Sequence, residues 1–198
     1  MEFITHRKNT LEGLLGVPTK YGVEIDIRSS AGQLVLHHDP FENGELLDNW
    51  LSFYNHGTLI LNVKEEGLEP RLIALMNKHK IERYFFLDQS FPFLLKFWRQ
   101  CKGRSAVRVS EYESINTALS LAGKVKWVWV DCFSKFPLLE DDYQLLVQAG
   151  FKICVVSPEL QGIVGDKKII KFCEEIRLHS FKLDAVCTKF PQIWEREC

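Results

Sequence analysis

Three polar groups close apolar runs near the start of this chain: His6-Arg7, Glu24-Ile25-Asp26 and His38-Asp39-Pro40. Side chains two apart in an extended segment face the same way, so Glu24 and Asp26 aim their carboxylates at one place while Val23, Ile25 and Ile27 face the other. Two such carboxylates can grip a hard divalent cation through oxygens at about 2.0 to 2.6 Å. Imidazoles change charge near neutral pH and so can carry protons to and from a reacting group. The combination predicts a metal-assisted hydrolase in which His6 and His38 move protons and Glu24 and Asp26 hold Mg²⁺ or Ca²⁺, oxygen ligands suiting these ions better than zinc.

A further extended run repeats the pattern. Asn62, Lys64 and Glu66 share one face, which lines up an amide oxygen, an ammonium and a carboxylate. Lys64 offers a point charge and Arg7 a planar fork of donors, the two cation types that neutralise a phosphate. A phosphoester is therefore the expected substrate.

These residues need elements to position them. Short runs rich in β-branched and aromatic residues predict strands at Phe3 to His6, Gly22 to Arg28, Thr58 to Lys64, Tyr84 to Asp88, Ala106 to Ser110, Trp127 to Asp131, Lys152 to Val156 and Asp184 to Thr188. Helical stretches alternate with them: Asn9 to Leu15, Glu45 to Tyr54, Pro70 to His79, Pro92 to Cys101, Tyr112 to Leu121, Asp141 to Gln148 and Asp166 to His179. Gly16, Gly123 and Gly150 stand where helix ends favour a left-handed residue. Ser29 to Gly32 signals a turn, and Gln33 to His37 an extra strand of a hairpin.

Eight strand-helix units predict an α/β chain folded as a (β/α)8 TIM barrel, with catalytic residues at the C-terminal strand ends. Such barrels usually take about 250 residues. The 198 here imply a compact form with short loops, and only the stub Pro191 to Cys198 remains as a reduced last helix. The rival, a doubly wound open sheet, calls for a glycine-rich phosphate loop after the first strand, where this chain has His6-Arg7-Lys8-Asn9-Thr10.

Composition narrows the partners. With 46% hydrophobic and 26% charged residues and no linker or repeat, residues 1–198 read as one domain. Twenty-five basic against 26 acidic residues give no field to attract nucleic acid, and no segment suggests membrane insertion. Met1 to Thr5 lacks a basic leader, so a secretory signal is not expected. The six cysteines, at 101, 132, 154, 173, 187 and 198, form no Cys-x-x-Cys pair. They are expected as reduced, core-filling thiols of a cytoplasmic protein, without zinc or disulfides. The Trp127 to Val130 run is expected in the core. Oligomeric state is not legible.

The run GVEIDIRSSAGQLVLHHDP from Gly22 to Pro40, together with His6-Arg7 and Asn9-Thr10, resembles the N-terminal signature of the glycerophosphodiester phosphodiesterases, which are (β/α)8 barrels. Gln89-Ser90-Phe91 and DAVCTKFP from Asp184 resemble that family's fourth and last strand ends. The resemblance implies that His6 and His38 are acid and base, that Glu24 and Asp26 bind the metal, and that Arg7 and Lys64 contact the phosphate. It also implies attack on phosphorus by a glycerol hydroxyl before water completes hydrolysis.

The chain departs from the family at Asn62, where a metal-binding glutamate is usual; the resemblance makes the Asn62 amide oxygen the third metal ligand in its place and Glu66 a weaker one. It departs again at Lys189, where an aspartate is usual. The loop after His6-Arg7 is cut to Lys8. Glu159 is expected to meet the substrate. Two other readings stand beside hydrolysis: a non-hydrolytic binder of a phosphorylated sugar or lipid head group, and a lyase that stops at a cyclic phosphate.

Overall fold

The computed structural model describes residues 1–163 and 165–198. Eight parallel strands follow one another around a curled sheet: β1 (Glu2–Thr5), β2 (Gly22–Ser30), β5 (Leu59–Val63), β6 (Tyr84–Leu87), β7 (Ala106–Val109), β8 (Trp127–Val130), β9 (Lys152–Val156) and β10 (Ala185–Thr188). β10 returns to pair with β1. Between β6 and β7 there is no ladder. That seam is one parallel bridge, Phe86 to Ser105, with the Phe86 N–H donating to the Arg104 carbonyl at 2.8 Å. The architecture is thus mixed α/β with a curled, barrel-like sheet, and a TIM-like barrel fits it.

The hairpin is present and larger than its sequence signal. β3 (Gln33–Leu36) runs antiparallel to the outer half of β2, Ser30 opposite Gln33, and a two-residue strand β4 (Glu45–Leu46) adds to it. Ala31 and Gly32 both take positive φ (47° and 77°), the backbone hand that matches strand twist in a two-residue turn. β4 occupies the start of the expected Glu45 to Tyr54 helix, which shrinks to α2 (Leu47–Leu51) because Glu45 and Leu46 pair with Leu36 and Val35 instead.

The remaining helices lie where periodicity puts them, within a few residues: α1 (Leu11–Leu15), α3 (Glu69–Lys78), α4 (Phe91–Cys101), α5 (Ile115–Leu119), α6 (Glu140–Gln148), α7 (Asp166–Leu178) and α8 (Pro191–Glu197). A 3₁₀ turn, Pro158–Gln161, follows β9. Gly123 and Gly150 are left-handed as expected, at φ 76° and 84°. Gly16 is not: it caps α1 at φ −77°, with right-handed backbone any residue can adopt.

Alternation sorts the strands into an inside and an outside. Ile4, Ile60, Phe85, Trp129, Cys154 and Cys187 fill the interior, with Trp127 stacked on Phe85 at 4.6 Å between centroids. Val23, Ile25, Ile27, Leu61 and Val63 pack outward against Leu14, Trp50 and Leu72. Val128, Val130, Val155 and Val186 do the same against the helices of the second half. The Trp127 to Val130 run is core, as expected. Gly22 is required where β1, β2 and β5 converge, since a Cβ there would sit 2.5 Å from the Thr58 carbonyl oxygen.

The cysteines divide. Cys101, Cys132, Cys154 and Cys187 are buried free thiols, in line with the sequence reading. Cys173 and Cys198 are joined as a disulfide between α7 and the end of α8, against that reading. The expectation rested on spacing in sequence, whereas the packing of α8 along α7 is what brings these two together at 5.6 Å between Cα atoms. Among the described residues no helix is long and apolar enough to cross a membrane.

Candidate active site

His6 is the first residue past β1, its N–H donating to the Thr188 carbonyl at 2.9 Å. Its ring is largely buried, with Nε2 3.8 Å from Glu24 Oε2 and Nδ1 buried without a hydrogen-bond partner among the described residues. Burial, reinforced by the Arg7 guanidinium, lowers its pKa to about 4, so the ring is neutral at physiological pH.

Arg7 next bends into the left-handed region at φ 49°. That turn aims its N–H at Glu24 Oε2 (2.7 Å) while its Nε lies 3.1 Å from Asp26 Oδ2. A strained non-glycine residue is held in this way only where its surroundings fix it, and such positions cluster at functional sites.

Glu24 and Asp26 face inward from β2, both almost wholly buried. Asp26 is gripped from two sides by Asn9, whose amide donates to Oδ2 and whose Oδ1 accepts the Asp26 N–H, each at 2.9 Å. On β5, Asn62 donates to Glu24 Oε1 at 2.8 Å. Lys64 places its ammonium 3.4 Å from Asp26 Oδ1 and 3.2 Å from Asp88 Oδ2. Burial, with the Asp26 charge adding to it, raises the Glu24 pKa to about 7. The neutral form of Glu24 is thereby favoured.

His38 reaches this rim from β3. Its carbonyl is stapled by Arg28, through Nε at 3.0 Å and Nη2 at 2.9 Å. Arg28 also donates to the Lys64 carbonyl at 3.3 Å, tying the hairpin to β5. The His38 ring is half-exposed, with Nδ1 2.8 Å from Asp39 Oδ1. That bond fixes the tautomer and leaves Nε2 as the nitrogen free for a ligand. It also holds the Asp39 carboxyl below its usual range. His38, Arg7 and Asn9 line one cleft of about 650 Å³.

His6, Arg7, Glu24, Asp26, Asn62 and Lys64 are therefore brought into one cluster, with His38 across a cleft that Arg7 also lines. Glu66 is not in it: it stands exposed in the turn after β5. Glu159 is buried beneath the rim, where it accepts from Thr188 Oγ1 (2.6 Å), the Lys189 N–H (2.9 Å) and Ser157 Oγ. Ser157 in turn accepts from Trp194 Nε1 at 2.7 Å. Glu159 thus braces the ends of β9 and β10 against α8, and its oxygens point into protein.

Four side chains outside the expected set complete the network. Asn9 was legible only as part of a motif, without a role. Asp88, itself left-handed at φ 59°, joins Lys64 to Arg108, and Arg108 goes on to Asp131. Acidic strand ends are common enough that only the cation each one meets distinguishes them.

A divalent cation is suited to this site if oxygens are left for it. Asn62 Oδ1 is buried and lacks a hydrogen-bond partner among the described residues, Asp26 Oδ1 is buried and faces only the Lys64 ammonium at 3.4 Å, and the two residues lie directly opposite in the β2–β5 register. Glu24 adjoins them, its Oε1 and Oε2 accepting from Asn62 and the Arg7 N–H, and the three residues make an all-oxygen donor set, the kind that fits Mg²⁺ or Ca²⁺. Among the described residues no group of three or more His, Cys, Asp and Glu side chains is gathered for a metal, since the third position here is the uncharged Asn62.

Comparison with solved structures finds related folds, three of which cover nearly the whole of this chain. A glycerophosphodiester phosphodiesterase from Agrobacterium tumefaciens str. C58 superposes with a TM-score of 0.68 at 14% identity over 98% of this chain and 97% of its own. The fold is that of the glycerophosphodiester phosphodiesterases. A putative glycerophosphoryl diester phosphodiesterase from the same strain follows, with TM-score 0.66, 16% identity, and 98% and 96% of the two chains covered. A third, from Parabacteroides distasonis ATCC 8503, gives 0.68, 13% identity, and 98% and 85%. No protein-family model matches the sequence and no curated protein matches it significantly.

Proposed function

We propose that this chain is a metal-dependent phosphodiesterase on a compact (β/α)8 barrel with short loops and a reduced last helix, hydrolysing a small glycerol- or sugar-linked phosphodiester. The observation that carries this reading is convergence: His6 lies 3.8 Å from Glu24, Arg7 and Lys64 flank Asp26, and His38 lines the cleft that Arg7 opens onto. All of them stand at one rim of a fold shared with phosphodiesterases.

Each residue then has a role its surroundings suit. His6, held neutral, takes the proton from the attacking hydroxyl. His38, oriented by Asp39 through Nδ1, gives a proton to the departing alcohol from Nε2. Arg7 and Lys64 neutralise the phosphate oxygens as charge builds on them. Glu24, Asp26 and Asn62 would hold Mg²⁺ or Ca²⁺. When bound, the ion supplies Lewis-acid stabilisation of the phosphoryl oxygens.

A screen of glycerophosphodiesters with and without chelator tests this reading, and product formation that chelator leaves unchanged overturns the metal dependence. Phosphorus NMR of the product separates hydrolysis from a lyase that stops at a cyclic phosphate. One observation favours a second reading, a non-hydrolytic binder of a phosphorylated head group: Asn62 carries no charge, and Asp26 is already balanced by Arg7 and Lys64. Titration calorimetry with Mg²⁺ and Ca²⁺ decides, since the binder shows no ion uptake that depends on Glu24 and Asp26.

A further inference from the structure

Among the described residues, six Phe or Tyr side chains stand exposed, and five of them ring one end of the molecule. Phe41 lies in the loop after β3 beside His38, Phe91 opens α4 after β6, Tyr112 follows β7, Phe133 follows β8 and Phe190 follows β10. This is the end that carries His6, Arg7 and the cleft. The sixth, Phe53, lies away from it just past α2. Random exposure of single apolar residues needs no explanation, but five aromatics on the strand-end loops of one end do.

The fold holds these rings outward. Phe41 is fully exposed and sits in the left-handed region at φ 65°, a conformation a bulky residue adopts only under constraint. Tyr112 and Phe133 come from different loops, yet their centroids are 5.9 Å apart. Glu111 makes that pairing by accepting the N–H groups of Phe133 (3.1 Å), Ser134 (2.7 Å) and Lys135 (2.9 Å), which ties the loop after β8 to the loop after β7. The aromatics are thus presented by built geometry.

We infer that this rim docks on a zwitterionic lipid surface and that the site takes its phosphodiester from that surface. Aromatic rings are the side chains that settle at a lipid–water boundary, apolar body inward and polar edge wet. Exposed charges on the same loops nearly cancel, with Arg7, Lys135 and Lys189 against Asp39, Glu42, Glu66 and Glu113. That balance matches a zwitterionic layer and lacks the basic excess an anionic one selects. The rim lies on the surface; it does not span it. The identity of the substrate rests on the phosphodiesterase reading, but the docking does not.

Sedimentation of the full chain with phosphatidylcholine vesicles tests the inference. The unaltered protein is expected to sediment with vesicles equally at low and high salt. The double variant Phe41→Ser/Tyr112→Ser should lose at least about tenfold in partitioning, while Phe53→Ser stays within about twofold, because only the rim rings insert. Failure of the unaltered chain to sediment, an equal loss in Phe53→Ser, retention by the double variant, or release by salt each overturns it. Hydrolysis of a soluble glycerophosphodiester is followed in parallel. Absent turnover with intact vesicle binding counts against the catalytic reading alone, and turnover without vesicle binding counts against the docking alone.

Discussion

At the scale of single residues, the site is a contest over charge in a buried place. His6 and Glu24 are both pushed toward their neutral forms by burial, and this gives folding stability opposite pH slopes. The Glu24 pKa lies above its ordinary 4.5, at about 7, so its contribution is fully present below pH 4.5 and is lost as pH rises through 7. The His6 pKa lies below its ordinary 6.5, at about 4, so its contribution is present above pH 6.5 and is lost as pH falls toward 4. Glu24→Gln, measured in chelator, should therefore gain stability relative to the unaltered chain at pH 8 and not at pH 4.5. Urea midpoints at the two pH values check this, and an equal difference at both would show that Glu24 titrates normally. His6→Ala and His38→Ala should each lower turnover by about 10² to 10⁴. The rate profile of the unaltered chain should be bell-shaped, and full activity in either variant would end its proton-transfer role.

Elements hold these groups through a few ties rather than many. The hairpin that delivers His38 is anchored to the barrel by Arg28, which grips the carbonyls of His38 and Lys64. Arg28→Ala should leave the fold intact but raise KM more than it changes the pH profile, because His38 keeps its Asp39 partner while its position loosens. An unchanged KM would mean the hairpin holds His38 without this tie. The disulfide between α7 and α8 closes a segment with a sequence separation of 25, and its removal in Cys173→Ser should cost about 3 kcal/mol, read from denaturant midpoints under non-reducing conditions. Equal midpoints with and without reductant in the unaltered chain would show the bridge carries no stability. The same helix supports the rim through Trp194, Ser157 and Glu159, so loosening it should reach Lys189 and the end of β10.

Across the whole molecule, a cation bound only by the folded state stabilises it by mass action, about 2.7 kcal/mol at a hundred times the dissociation constant. Mg²⁺ or Ca²⁺ should therefore raise the melting temperature, and Asp26→Asn should remove that rise; a shift unaffected by Asp26→Asn would place the ion elsewhere. The strands, their order and the inward face of Glu24, Asp26, Asn62 and Lys64 were legible in the chain because alternation has a period of two and is fixed by local backbone geometry. The outer helices were legible for the same kind of reason, at a period of 3.6. What contacts what was not. Glu159 resembled its neighbouring acids in sequence, and only the convergence of β9, β10 and α8 turned it inward as a brace. Asn9 became a clamp on Asp26 through the turn at Arg7, and Cys173 met Cys198 because α8 folds back along α7. Sequence settled which side of each strand a group occupies, since that depends on nearest neighbours. Tertiary structure settled which groups share a charge, a proton or a buried oxygen, since strands far apart in sequence become adjacent only when the sheet curls.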